Sequence, residues 1–168
     1  VKSGDISAPN IVVIAGVNVS LDTDAIPRGA FTALTWESFN ASQVTIDNGI
    51  GTVNTNGTIT ISPEVTTTYT VTVAGNEGST VSSIVTLIVY QPPTMNIHIN
   101  PEEITLGEPV LLSWETTNAY EVIIDNNIGR VMPSGHIFIT PDHTETFTIT
   151  ATGLGGTISD SVTITVHQ

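Results

Sequence analysis

Apolar and polar residues alternate along most of the chain, in runs of five to nine positions. Val17, Val19 and Leu21 are separated by polar neighbours, and so are Leu34 and Trp36 (with Thr32 on their face), then Val44 and Ile46, then Ile59 and Ile61, then Tyr69, Val71 and Val73. A period of two puts every second side chain on one face of an extended strand. No stretch shows the 3.6-residue period of a helix, so the pattern predicts an all-β chain. The breaks between runs carry turn residues. Residues 22–29 read as a turn region, and Asp47-Asn48-Gly49-Ile50-Gly51 permits the positive φ of a tight turn. Val53 is expected to begin the next short strand. Asn56-Gly57 reads as a hairpin signal ahead of Ile59 and Ile61, and Pro63 stops that strand.

The whole order of runs occurs twice. Residues 34–41 (LTWESFNA) return as 112–119 (LSWETTNA), Val44, Ile46, Asp47 and Asn48 return as Val122, Ile124, Asp125 and Asn126, and residues 66–73 fall on 144–151. Gly57, Ile59, Ile61 and Pro63 fall on Gly135, Ile137, Ile139 and Pro141, while Met95, Ile97 and Ile99 repeat Val17, Val19 and Leu21. Roughly two dozen identities in about sixty ungapped positions mark an internal duplication. Between Gly75 and Val81 lies one residue more than between Gly153 and Ile158 in the copy. Beyond it Val81, Val85, Leu87 and Val89 match Ile158, Val162, Ile164 and Val166, so the offset change keeps strand phase. Two modules are predicted, 17–90 and 95–168, each with about seven short strands in a two-sheet sandwich of immunoglobulin type. Residues 91–94 (QPPT) form a short Pro-rich linker, expected to be semi-rigid and to hold the modules end to end.

Modules of this size hide only about 60% of their unfolded surface, which puts weight on a few large side chains. Trp36 and Trp114 point inward, and Tyr69 and Phe147 occupy matching inward positions; these four are the expected core keystones. Burying one indole removes about 150–250 Å² from water, a gross gain of roughly 4–6 kcal/mol.

Residues 1–16 stand outside the repeat. Their segment 10–15 (NIVVIA) is apolar on both faces, as a strand covered on both sides would be. Extending the repeat backwards places Ile11 and Val12 where Val89 and Tyr90 precede the second module, so this run takes the place of a preceding module's final strand. Ile11, Val12, Val13 and Ile14 are therefore the candidate assembly residues, donated to a neighbouring subunit's sheet to link subunits head to tail. The other reading makes the run an ordinary first strand kinked at Gly16, or the remnant of a preceding repeat. A first residue of valine is expected of a processed chain or a fragment.

Composition narrows the chemistry. The formal net charge is −13, with Lys2, Arg28 and Arg130 against 16 carboxylates, so phosphate backbones and anionic lipids are repelled and nucleic-acid binding is excluded. No apolar run reaches the roughly 18 residues of a membrane helix, so no membrane insertion is expected. No nucleophile motif, metalloprotease motif, phosphate-binding loop or cysteine cluster is present, so no catalytic residue is assigned and the chain reads as a non-enzyme.

His136 and His143 flank one strand, but their counterparts are Thr58 and Val65, and a metal site needs three or four ligands; they read as surface histidines. Asp47 and Asp125 recur before the Gly-rich turn. Calcium needs 6 to 8 oxygens, so these two read as structural acceptors of backbone N–H groups. Asp22 and Asp24, facing Asn100, Glu102 and Glu103 in the second copy, are a further calcium candidate without a full ligand set. Neither a metal nor a cofactor is expected. Asn18, Asn40 and Asn56 are glycosylation sequons. Lys2 is the only lysine, which excludes Lys–Asn isopeptide bonds inside either sandwich. Aromatic residues make up 5% and both tryptophans point inward, leaving no stacking platform for sugars.

The pattern L-x-W-x-x-x-N-A-x-x-V-x-I-D, followed by G-x-V and then S/T-P before T-T/E-T-Y/F-T-x-T, resembles the tandem Ig-like, PKD-related repeats of secreted and surface proteins of bacteria and archaea. The resemblance covers 17–168; the W-D-F-G-D-G signature of typical PKD domains is absent. It implies an extracellular or cell-surface location and service as a stalk, adhesin segment, enzyme spacer or filament subunit. The expected function is that of a structural protein, a surface filament or pilus-like subunit that self-associates through its N-terminal strand. The alternative is a spacer or adhesion module next to other Ig-like domains.

Overall fold

A computed structural model describes residues 13–76 and 78–168, which contain sixteen β-strands and no helix. The first repeat forms β1 (Gly16–Leu21), β2 (Ala25–Pro27), β3 (Thr32–Phe39), β4 (Ala41–Ile46), β5 (Gly51–Val53), β6 (Asn56–Ile61), β7 (Thr67–Gly75) and β8 (Thr80–Tyr90). The second forms β9 (Thr94–Asn100), β10 (Glu103–Thr105), β11 (Val110–Thr117), β12 (Glu121–Ile124), β13 (Gly129–Val131), β14 (Gly135–Ile139), β15 (Glu145–Gly153) and β16 (Gly156–His167). In each repeat a three-stranded sheet faces a five-stranded one. The orders are β1-β3-β6 with β2-β8-β7-β4-β5, and β9-β11-β14 with β10-β16-β15-β12-β13. Pairing is antiparallel except for β2 with β8 and β10 with β16.

The alternation fills the space between the sheets. Leu34, Trp36, Val44, Ile46, Tyr69, Val71, Val73 and Leu87 are buried in the first sandwich. Leu112, Trp114, Val122, Ile124, Phe147, Ile149, Ala151 and Ile164 are their equivalents in the second. By spatial proximity the described residues also divide into two compact units, the second taking 25–30, 62–66 and everything from Ile88 onward. The hydrogen-bonded sheets instead follow the sequence repeat.

Three expectations are corrected. Each repeat has eight strands rather than seven, because the presumed turn regions contain β2 and β10. There Ile26 and Ile104, each 3% exposed, reach the core from a segment that pairs with the five-stranded sheet. Three residues with one inward side chain leave no period to read. Val53 ends β5 rather than beginning it. Asn56-Gly57 is no hairpin turn: both residues lie in β6, and β5 and β6 belong to different sheets. Glycine serves there for close approach, since a Cβ on Gly57 would lie 2.8 Å from Trp36 Cζ2, and one on Gly135 would lie 3.0 Å from Trp114 Cζ2. Of the apolar N-terminal run only residues 13–15 are among the described residues; they pair with no strand of this chain, Ala15 is buried, and Val13 is 45% and Ile14 70% exposed.

Candidate functional site

The proposed assembly segment is seen only in part, because Ile11 and Val12 lie outside the described residues. Where the chain enters the first sandwich, Asn40 takes the left-handed conformation (φ 55°) between β3 and β4, and its Nδ2 donates to Ile14 O at 3.0 Å. The backbone oxygen of Asn40 accepts from Asn76 N at 3.3 Å. Ala15 packs beside Gly75, where an added Cβ would stand 3.0 Å from the alanine Cβ. The Phe39 ring lies over Gly16, where an added Cβ would fall 2.0 Å from Phe39 Cε2, so a larger residue there would displace the ring.

The second sandwich repeats this entry. Asn118 (φ 56°) donates from Nδ2 to Pro92 O at 3.2 Å. Gly153 faces Pro93, with an added Cβ 3.1 Å from its Cγ and 1.9 Å from Asn118 O. Ile14-Ala15 thus meets the first sandwich as Pro92-Pro93 meets the second. Asparagine suits this role because it tolerates positive φ and still offers an amide donor. In the sequence both asparagines stood out as part of the repeat, and Asn40 as a sequon, with no sign of their partner on the incoming chain.

Two further clamps hold each fold. Asp47 Oδ1 accepts from Thr70 N at 2.8 Å, and Asn48 Nδ2 donates to Thr68 O at 2.8 Å. Asp125 accepts from Thr148 N at 2.8 Å and Asn126 donates to Thr146 O at 2.9 Å. These carboxylates accept backbone N–H groups from β7 and β15, across the sheet and not within their own turn. The four aromatic keystones are Trp36 at 4%, Tyr69 at 5%, Trp114 at 6% and Phe147 at 3% exposure. Each indole N–H donates at 2.9 Å to a backbone oxygen on the facing segment, Trp36 to Asn54 and Trp114 to Met132. Burial, and then the nearby charge of Asp47, push the Tyr69 phenol above its ordinary value.

Among the described residues no group of three or more His, Asp or Glu is placed to hold a metal ion. His136 lies on β14, and His143 pairs with Asp142 on an exposed loop. That pairing holds the His143 imidazole above its ordinary value and Asp142 below its own. Asn18, Asn40 and Asn56 are all exposed, and Asn56 Oδ1 accepts from Ser38 N at 2.6 Å.

No family model matches the sequence. An uncharacterized protein of Ruminiclostridium cellulolyticum is 28% identical over 170 residues, covering 99% of this chain and 46% of that protein, so the chain spans about half the length of this relative. Among solved structures, an I-band fragment from titin superposes with a TM-score of 0.61 at 12% identity, over 93% of this chain and 66% of that one. The immunoglobulin domains 1–5 of Sidekick-1 give 0.57 at 14%, over 95% and 40%. The N-terminal eight Ig domains of Down Syndrome Cell Adhesion Molecule give 0.61 at 11%, over 92% and 25%. At such identities the likeness is one of fold, and the fold is that of tandem Ig-like domains.

Proposed function

We propose that this is a non-enzymatic structural protein of the cell exterior in which Ig-like modules follow one another along the chain, with residues 10–15 as the joint to the next module. The observation that carries this reading is the repeated entry: Ile14-Ala15 is held on the first sandwich by Asn40 as Pro92-Pro93 is held on the second by Asn118. In its first form the joint acts between copies. Val13 and Ile14 stay exposed, and the run that contains them adds to a neighbour's sheet, building a head-to-tail, pilus-like filament. In its second form the joint lies within one longer chain and the modules are spacers or adhesion units, a reading favoured by a relative of about twice this length.

Electron microscopy and light scattering of the full chain, beside a chain starting at Val17, separate the two. Regular fibres from the first and folded monomers from the second are expected of the filament form. Equally folded monomers from both would exclude it and leave the spacer form.

A further inference from the structure

The two sandwiches open at the same place. Where the chain crosses from the edge of the five-stranded sheet to the edge of the three-stranded one, each has a groove floored by its tryptophan. The groove is about 510 Å³ in the first module and about 590 Å³ in the second. The strands flanking it, β13 and β14, are both sheet edges, so an extended segment laid there finds backbone hydrogen-bonding groups beside apolar side chains. The linings differ. Thr52, Asn54 and Thr58 line the first groove, where the second has Arg130, Met132 and His136 at the matching positions. Further along the same strand edge Thr60 is matched by Phe138. Met132 is 74% and Phe138 68% exposed. The fold does not require this apolar character, because the backbone oxygens of Asn54 and Met132 accept the same indole hydrogen bond.

We infer that the β13–β14 groove of the second module is the acceptor for residues 5–14 of a second copy of this chain, added as a strand along β14. The inference rests on the filament form of the function proposed above. The run at 10–14 is as long as β14, five residues, and is apolar on both faces, so it needs the cover that Met132, Ile137 and Phe138 supply. Charge fits as well. Asp5 lies upstream of the run, and the groove holds Arg130, one of three permanent cations in a chain of net charge −13. Arg130 Nη1 already pairs with Glu121 Oε1 at 3.2 Å, and a guanidinium has further donors to give. The polar first-module groove offers neither the apolar cover nor the cation, so assembly runs one way, from the N-terminal segment of one copy to the second module of the next.

The chain has no cysteine, which makes disulfide trapping clean. Full-length Ile11→Cys is mixed under oxidising conditions with full-length Met132→Cys, and separately with Asn54→Cys. The mixed dimer is expected about ten-fold more abundant with Met132→Cys. In a second measurement Met132→Asn, His136→Thr and Phe138→Thr are combined, each installing the residue that the first module carries at that position. Light scattering should then show self-association lost with the melting temperature unchanged. If chains associate but trap equally well at Asn54→Cys, or still associate after the triple swap, the groove assignment is overturned and the filament form stands. If full-length chains stay monomeric, both are overturned.

Discussion

One acidic position has acquired different partners in the two modules. In the first, Glu64 Oε2 accepts from Arg28 Nε at 2.6 Å; in the second, the arginine is replaced by Leu106, the acid is Asp142, and the neighbouring His143 has become its partner. Both pairs are exposed, where solvent screens an ion pair and leaves it little to contribute, so nothing in the fold held the partner fixed. The Asp–Asn clamps behave otherwise. Asp47 and Asp125 bind the same strand backbone at the same 2.8 Å, and both tryptophans keep their carbonyl. Duplicated scaffolds keep what joins non-local backbone and the core, and vary what solvent already satisfies.

The largest effect is expected from Trp36→Ala or Trp114→Ala, at about 3–5 kcal/mol each. Each module holds one of the two tryptophans, so in either variant the remaining indole reports on the intact module. Urea unfolding followed by circular dichroism should show a new early transition absent from the fluorescence. Coincident loss of both signals would show that the modules do not unfold independently.

Removing a clamp should cost less. Asp47→Ala and Asp125→Ala each leave a strand N–H without its carboxylate, and about 1–2 kcal/mol is expected at a solvent-exposed bond. The two values should agree, and a clear inequality in chemical denaturation would mean that the clamps have diverged in role.

Alkaline titration distinguishes the modules by one hydroxyl. The Tyr69 phenol is raised above 10.0 in the folded state, so the unfolded chain ionises first. Its contribution is complete below about pH 10 and is lost as the pH climbs from there towards the raised value. Phe147 has no phenol to ionise. The first module should therefore weaken in this window, and Tyr69→Phe should abolish that dependence in thermal melts.

The smallest effect belongs to His143. Its hydrogen bond to Asp142, then that residue's charge and that of Glu145, raise the imidazole above 6.5. The stabilisation is complete below the ordinary imidazole value and fades as the pH rises through the raised one. On the acid side it fades as the pH falls through the lowered Asp142 value. Proton NMR should find the His143 midpoint above the ordinary value, and Asp142→Asn should bring it down.

The amino-acid sequence by itself determined which side chains face inward, since a period of two fixes a strand's faces without reference to its partners. It also determined the duplication and the acceptor role of Asp47 and Asp125, whose oxygens suit N–H groups wherever these come from. What it left open depended on residues far apart in the chain. Whether Gly57 served a turn or a close approach could not be read from a residue that permits both; the position of the Trp36 indole decided it. Three-residue strands such as β2 exist because β8 lies beside them, and their own sequence carries no period. The hold of Asn40 on Ile14 joins positions 26 residues apart through one amide, an arrangement that only the packed sandwich brings about.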